Sequence, residues 1–282
     1  GNYVNAWPQI AEDMDFARKN LPPTQTDLGR PNKWAADAYY AKILIFRAGM
    51  GEYANGYAEA LPILKSVIDN GVNAKGQKYD LLPNYHDNFN PAFDNSVESV
   101  FAVQFTVNDN TDNGRRNSDP EPQYILTRTK IAADYGPGWG FLNPSEWYAD
   151  HFRVDEGGLR YIDMYDTNPH RLKDDYGLPA APSVGIDTFK IDTVPVDPRL
   201  DWSLGRRGIP YLDYGNVPGS TWIRDQNHAG PYMNKKRLIP KSQLAAYTVI
   251  GRATSAGNYD IIRFADVLLL AAEMEARVGS LD

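Results

Sequence analysis

The chain has 282 residues, a formal net charge of −7 and no cysteine. A chain of this length can bury roughly three quarters of its unfolded surface, so its core needs no disulfide support, and the missing thiols exclude disulfides, thiolate metal sites and cysteine nucleophiles. The negative charge, without any Lys/Arg-rich run, argues against nucleic acid as a partner, because the phosphates would meet a repulsive surface.

Three helices are predicted in the first third of the chain. Apolar residues recur on one helical face over residues 7–21, and Pro22 ends that helix. A second helix is predicted over residues 34–48, and a third from near Tyr57 to Gly71, where we expect a left-handed glycine cap. Two antiparallel helices with small residues at their crossing are the unit of a tetratricopeptide solenoid, so the second and third helices predict one such pair.

The middle of the chain, residues 106–257, has a different composition. It is rich in Gly, Pro, Asp, Asn and aromatic residues, with turn-forming stretches such as 136–138 and 217–219. A disordered linker would contain few aromatic side chains, so we predict ordered loops laid over a helical scaffold. The run at 108–114 has the spacing of a calcium loop at its start, but Pro120 stands where such a loop needs a bidentate glutamate, so no metal site is predicted.

A short β-like run leads into a helix in residues 258–279. Several apolar residues of this segment recur at helical spacing, and small alanines among them allow a neighbouring helix to approach closely. The predicted packing face consists of Ile262, Ala265, Leu269, Ala272 and Ala276. Arg263 and Asp266, at the start of the helix, are predicted to be part of the scaffold.

This segment, NYDIIRFADVLLLAAEMEARVG, resembles the late helical motif of the SusD/RagB family, whose members are surface lipoproteins that capture glycans for a TonB-dependent transporter. Three earlier blocks resemble motifs of the same family and follow one another in the family's order. They are ADAYYAKILIFRAGMGEYANGYAEALPILKSVIDNG from Ala36 onward, NSVESVFAVQF at residues 95–105, and VDPRL at residues 196–200. The ordered set extends from about residue 34 to 279.

The resemblance implies a mainly α fold of tetratricopeptide-like helical pairs, with a large irregular region rich in loops. It divides the chain into a helical scaffold with a short strand at residues 1–105, a ligand-binding loop region at residues 106–257, and the start of a C-terminal helical scaffold at residues 258–282. Together these form one domain, truncated at both ends relative to the family.

The resemblance also implies the partners and the location. The ligand is expected to be an oligosaccharide or polysaccharide, the protein partner a SusC-like TonB-dependent transporter, and the location the extracellular face of the outer membrane of a Bacteroidetes-type bacterium. No cofactor is implied. Association with the membrane is expected only through a lipid anchor that is missing from this chain, which we interpret as a portion of a longer protein.

Residues 201–232 carry the main candidate for a ligand site. Aromatic rings alternate there with charged and amide side chains, and sugars bind where flat rings cover their C–H faces while polar side chains bond their hydroxyls. The predicted glycan-binding residues are Trp139, Trp202, Tyr211, Tyr214, Trp222, Arg224, Asp225 and Asn227. For Trp202 and Trp222 the alternative is a core position in which the ring fastens a long loop, since tryptophan is commonly buried.

Three further residues of the loop region are interpreted individually. Trp139 is flanked by glycines, which leave its ring little local cover and allow it to project into a cleft. Trp147 follows the predicted helix cap Ser145 and is expected on the buried side of that helix. Arg199 is expected to form a salt-bridged corner with the neighbouring aspartates rather than a functional site.

No catalytic residue is predicted. The chain contains no Gly-x-Ser-x-Gly elbow, no His-Glu-x-x-His motif and no Walker loop. One alternative is a glycoside hydrolase that uses paired carboxylates, for which Asp213 and Asp225 are the candidates because they lie among the aromatic residues. Another is a helical-repeat scaffold that binds a peptide on helix faces around Tyr40 or Glu59.

Overall fold

The computed structural model describes residues 4–111, 117–120, 122, 139–162, 170–249 and 254–279. Their helices are α1 (Trp7–Asn20), α2 (Lys33–Gly49), α3 (Gly56–Asn70), α4 (Glu146–Asp150), α5 (Leu200–Ser203), α6 (Gln226–Ala229), α7 (Leu244–Tyr247) and α8 (Phe264–Val278). Their strands are β1 (Ser99–Val103), β2 (Leu204–Gly205), β3 (Met233–Asn234) and β4 (Tyr259–Arg263). The predicted glycine turn at residues 136–138 and the end of the run at residues 108–114 lie outside the described residues.

The chain divides into two compact units. The first, here called the helical unit, comprises residues 1–84, 93–104 and 258–282. The second, here called the loop unit, comprises residues 85–92 and 105–257. The helical unit contains one buried apolar cluster and the loop unit contains two.

The helical unit is built on the pair α2 and α3. Gly56, the first residue of α3, lies so close to α2 that an added Cβ atom would be 2.3 Å from the Leu44 carbonyl oxygen, so only glycine permits this crossing. Leu64 and Val67 of α3 and Met274 of α8 are fully buried in the core that forms around the pair. The mainly α fold with a tetratricopeptide-like pair, predicted from the sequence, is confirmed.

Gly71 follows α3 as predicted, but for a different reason. Its backbone is extended, with φ −65° and ψ 139°, and is not left-handed. An added Cβ atom would lie 2.3 Å from the Val67 carbonyl oxygen and 2.7 Å from the Tyr79 ring. Glycine is therefore required by the close approach of the Val67 carbonyl and the Tyr79 ring rather than by a positive φ angle.

Strands β1 and β4 form a two-stranded antiparallel sheet, with Ser99 opposite Arg263 and a bulge before Phe101. Glu98, which precedes β1, is buried, and its carboxylate accepts hydrogen bonds from the Arg263 guanidinium at 2.9 Å and from the Leu82 backbone N–H at 2.8 Å. The buried charge is therefore paired and hydrogen-bonded, which is the condition under which a protein interior tolerates it.

The packing face of α8 differs from the prediction. Buried residues on this helix are Phe264, Val267, Ala271 and Met274, whereas Leu269, Ala272 and Ala276 are exposed. The predicted face was wrong, because α8 has apolar residues on more than one side and its packing against α3 decides which of them are buried.

The loop unit contains little regular structure. Its short strands β2 and β3 pair antiparallel, with Leu204 opposite Asn234. Apolar side chains from many loops form two buried clusters. One consists of Tyr211, Val217, Trp222, Ile223, Met233, Leu238, Ile239 and Leu244, and the other of Ala149, Leu172, Leu200, Leu204 and Tyr232.

Buried cations hold the loops of this unit together. Lys235 is buried and donates to the backbone carbonyls of Asp201 and Pro210, the latter at 2.8 Å. Arg207 is buried as well and binds the Asp187 carboxylate and the Pro179 carbonyl. Such bonds supply partners for backbone groups that helices and sheets would otherwise satisfy.

The corner around Arg199 is only partly as predicted. The Arg199 guanidinium binds the Asp197 carboxylate at 2.9 Å, but its side chain is mostly exposed. Asp201 binds Arg206 instead, at 2.6 Å.

Among the helices of the described residues, none combines the length and the apolar character needed to cross a membrane.

Candidate functional site

A cleft of about 620 Å³ opens in the loop unit between two segments of the chain. This volume lies within the range of small-molecule binding sites. The first wall consists of Trp139, Gly140, Phe141, Leu142 and Asn143, and the second of Arg224, Asp225, His228 and Ala229.

The first wall owes its shape to two left-handed residues. Gly140 has a φ angle of 68°, and Leu142 has one of 58°, which is uncommon for a leucine. The Leu142 carbonyl accepts a hydrogen bond from the Asn234 side chain at 3.4 Å. With the backbone bent in this way, Phe141 and Leu142 are exposed at the cleft rather than packed in a core.

Arg224 connects the two walls. Its guanidinium donates to the Trp139 carbonyl at 2.8 Å and lies 5.9 Å from the centroid of the Trp139 ring. Gly140 leaves room for this contact, since an added Cβ atom would be 3.2 Å from the Arg224 Cβ. The Trp139 ring is thus held at the edge of the cleft with 45% of the residue exposed.

Asp225 shapes the second wall. One of its carboxylate oxygens accepts the Asn227 backbone N–H at 2.9 Å and caps the short helix α6. The other oxygen lies 2.8 Å from His228 Nδ1. The hydrogen bond with His228 and that with Asn227 hold the pKa of Asp225 below its usual value, so this carboxylate stays ionised at neutral pH.

The cleft therefore combines exposed apolar rings with fixed polar groups. Trp139 and Phe141 offer flat surfaces, while Arg224, Asp225 and His228 offer donors and acceptors within the same cavity. Sugars present apolar C–H faces and hydroxyl groups, and this mixture matches both. The described residues contain no group of three or more His, Asp or Glu side chains placed to hold a metal ion.

Comparison with known proteins identifies the family. A sequence profile of the SusD family matches residues 97–282, which is more than half of the chain. The chain belongs to the SusD family. The resemblance drawn from the four sequence blocks is thereby confirmed.

Individual relatives of this SusD-family chain include proteins of known structure. A SusD-like protein of Bacteroides ovatus is 30% identical over 96 residues, which cover 34% of this chain and 17% of the relative. A laminarin-binding SusD-like protein has a TM-score of 0.57 at 21% identity over 97% of this chain and 50% of its own. The surface glycan-binding protein A of Bacteroides thetaiotaomicron, solved with laminarihexaose, has a TM-score of 0.55 at 15% identity, over 98% of this chain and 50% of its own. The chain thus spans at most about half the length of these relatives.

The structure brings three of the predicted site residues of the SusD-family chain together. Trp139, Arg224 and Asp225 all line the cleft. Asn227 lies on α6 nearby, but its side-chain oxygen accepts a hydrogen bond from the Tyr176 hydroxyl at 2.9 Å and it does not line the cavity. Its contact holds the loop at residue 176 against α6.

Three other predicted residues lie in or against the first buried cluster. Trp222 is only 7% exposed, and its ring meets that of the buried Tyr211 edge-on at 6.0 Å. The hydroxyls of Tyr211 and Tyr214 donate to the carbonyls of Asn234 and Ile239. Buried rings have no free face for a sugar, so Trp222 fits the alternative in which a ring fastens a loop, and Tyr211, which was predicted only as a ligand contact, is buried beside it.

Two tryptophans occupy separate positions. Trp202 is 42% exposed and stacks on the buried His86 ring at 4.7 Å, away from the residues that line the cleft. Trp147 was predicted on the buried side of α4, and this is wrong, since it is 61% exposed and contacts mainly the His151 ring one turn further along. Ala149 and Asp150 are the buried residues of that short helix.

The sequence prediction missed Phe141, Leu142 and His228. The glycines around Trp139 indicated a bent loop, and the same signal extends to Phe141. Nothing in the sequence marks Leu142 as left-handed, because that conformation depends on contacts with distant residues such as Asn234. His228 stands three residues after Asp225, the spacing of neighbours on a helix surface, and this could have identified the pair.

Proposed function

We propose that the chain binds a glycan in the cleft between residues 139–143 and 224–229 without cleaving it, as part of a protein on the cell surface that delivers the glycan to a TonB-dependent outer-membrane transporter. The observation that carries this proposal is the Trp139 ring, which is exposed at the cleft and fixed by Arg224. A ring that is already ordered loses little entropy when a sugar stacks on it.

Family membership and the glycan-binding relatives support the ligand class. One of the structures that share this fold is described as laminarin-binding, and another contains laminarihexaose. The outer-membrane location and the transporter partner rest on the family alone, and co-purification of the transporter with the full-length protein from outer membranes would test them.

The two acids that the sequence offers as a glycosidase pair, Asp213 and Asp225, do not fit that role. Asp213 accepts backbone N–H bonds from Lys241 at 2.6 Å and Ser242 at 2.9 Å. Burial raises its pKa, but these hydrogen bonds outweigh that effect and the net pKa is below the usual value, as it is for Asp225. A glycosidase needs one carboxylic acid with a raised pKa, and neither residue fits that requirement.

The decisive experiment compares two exposed tryptophans. Trp139→Ala removes the ring from the cleft, whereas Trp147→Ala removes a ring that is even more exposed, 61% against 45%, and does not line the cleft. In calorimetric titrations of the full-length protein with laminarihexaose and a panel of soluble polysaccharides, we expect Trp139→Ala to weaken binding by about 1–3 kcal/mol and Trp147→Ala to leave it unchanged. A stacked ring contributes about 0.5–1.5 kcal/mol from its contact geometry, and the apolar surface that it buries adds to this.

The other outcomes are equally informative. If both variants bind as the wild type does, the cleft is not the glycan site. If reducing ends appear in the same samples, the protein is a hydrolase and the non-catalytic assignment is wrong. Binding of peptides instead of glycans would favour a helical interaction scaffold, with α2 and α3 as its surface.

A further inference from the structure

Arg224 differs in its partners from most arginines in the described part of the chain. Arg18, Arg207 and Arg263, for example, each pair with a carboxylate. Arg224 forms no ion pair within 4 Å among the described residues, although it is exposed and lines the cleft. Its contacts there are the Trp139 carbonyl and the Trp139 ring. One N–H of the guanidinium is therefore engaged, and the fork retains further donors for a ligand.

The nearest carboxylate in the cleft is already satisfied elsewhere. Both oxygens of Asp225 have hydrogen-bond partners, one in the backbone of Asn227 and the other in the ring of His228. Among the described residues, the guanidinium of Arg224 is therefore a cation of the cleft without an ion-pair partner, in a chain whose formal net charge is −7.

The cation also has a defined orientation. Its hydrogen bond to the Trp139 carbonyl and its position over the ring hold the guanidinium at the same edge of the cleft as the exposed indole. An arginine held in this way binds a carboxylate or sulfate with two parallel hydrogen bonds and loses little side-chain entropy in doing so. A sugar stacked on Trp139 would bring a substituent of its ring within reach of that fork.

We propose that the cleft selects glycans that carry an anionic substituent, a carboxylate or a sulfate, and that Arg224 is the residue that recognises it. This inference rests on the proposed function, because it assigns the ligand class of the same site. It differs from that function in its consequence, since a site built only for neutral glucans would not distinguish charged from uncharged sugars.

The test measures a ratio of affinities. The full-length protein is titrated with a hexasaccharide of galacturonic acid, with the methyl ester of the same hexasaccharide, with a sulfated laminarihexaose and with laminarihexaose itself. We expect the wild type to bind at least one anionic ligand roughly tenfold or more tightly than its neutral counterpart, as a charge-assisted hydrogen bond supplies. The uronate and sulfate arms show which anion is recognised.

Variants locate the effect. Arg224→Gln should bring the ratio of anionic to neutral affinity close to one, whereas Arg224→Lys, which keeps the charge but loses the fork, should retain part of it. Lys173→Gln is the control, because it removes an exposed cation of the loop unit that does not line the cleft, and it should leave the ratio unchanged. A loss of loop order in Arg224→Gln would weaken both ligands of a pair and leave their ratio as it was.

Three outcomes would overturn the inference: equal affinities for charged and neutral forms in the wild type, a ratio that survives Arg224→Gln, or a ratio that Lys173→Gln abolishes as well. If the ratio is one while Trp139→Ala still weakens binding, the proposed glycan site stands and only its selectivity is wrong. If none of the four ligands binds but a neutral polysaccharide of the wider panel does, the selectivity is wrong and the proposed function stands; if nothing in the panel binds either, both proposals fall.

Discussion

Trp222 and Trp139 lie in the same unit of the chain and are expected to respond in opposite ways to the same substitution. Trp222 is 7% exposed and packs against Tyr211 in a buried cluster, while Trp139 is 45% exposed at the edge of the cleft. Trp222→Ala should therefore reduce stability, and Trp139→Ala should reduce ligand binding.

The magnitude for Trp222 follows from its burial. A tryptophan removes up to about 250 Å² from water, which at roughly 25 cal/mol per Å² corresponds to about 6 kcal/mol as an upper limit. Removal of large aromatic residues from cores costs about 3–5 kcal/mol, because the surroundings collapse only partly into the space. We expect Trp222→Ala to lower the free energy of unfolding by an amount in this range, and Trp139→Ala to lower it by about 1 kcal/mol or less.

The assay is urea unfolding followed by circular dichroism, with calorimetric binding measured on the fraction that remains folded. Trp222→Ala should shift the transition to markedly lower urea while the folded fraction keeps its affinity for the glycan. A Trp222→Ala protein of wild-type stability that has lost its affinity would refute the reasoning, because it would show that the ring contacts the ligand.

Three further changes probe other parts of the structure. Gly56→Ala should destabilise the protein by about 1–3 kcal/mol, in spite of the higher helix propensity of alanine, because the added methyl group meets the backbone of α2. Gly49→Ala is the control and should not destabilise the protein, since its Cβ atom would meet only an ordinary contact at 3.5 Å. Equal stability of the two variants in urea unfolding would contradict the close helix crossing. Arg263→Met should lower the free energy of unfolding by about 3 kcal/mol, because it leaves the buried Glu98 carboxylate without its cation. The double variant with Glu98→Gln should recover part of this loss. If urea unfolding shows no recovery, the ion pair does not contribute as described. Burial lowers the pKa of Lys235 to about 8, although the Asp201 carboxylate opposes the shift. Between about pH 8 and pH 10.5 the folded chain has therefore released the Lys235 proton, while the unfolded chain still holds it. The free energy of unfolding of the wild type, measured against that of Lys235→Met, should increase over this range, and a constant difference would show that the group is not shifted.

The sequence predicted the helices well, because their signals are local. The apolar period and the proline after residue 21 define α1, and the glycines between α2 and α3 mark the turn. The side of a helix that is covered depends on its neighbours, and for this reason Leu269 was assigned to a packing face although it is exposed. Gly71 was assigned a left-handed cap, whereas its role depends on Tyr79, which comes eight positions later.

The sequence indicated which kinds of residue would form the proposed site, but not which individual residues line the cleft. Mixed aromatic and polar residues indicated the loop region as the place of the proposed sugar site, and the glycines beside Trp139 predicted that its ring could project into a cleft. The burial of Trp222 could not be inferred, since an indole serves equally as a core residue and as a stacking surface, and only its contact with Tyr211 distinguishes the two. Leu142 gave no signal, because its backbone conformation is imposed by distant contacts.

The loop unit has little regular secondary structure, so its backbone groups need hydrogen-bond partners from elsewhere. Long irregular loops carry many backbone groups that need hydrogen-bond partners, and leaving them unpaired in a core costs free energy. Here Lys235 and Arg207 bind the carbonyls of distant loops, so that cations take over the role that strands play elsewhere. Loops fixed in this way can hold Trp139 and Arg224 in one orientation before a ligand arrives, and a site that is ordered in advance binds more tightly than one that must be ordered by its ligand. Loss of the hydrogen bonds that Lys235 and Arg207 make to these carbonyls should therefore weaken glycan binding, although the residues of the cleft itself are unchanged.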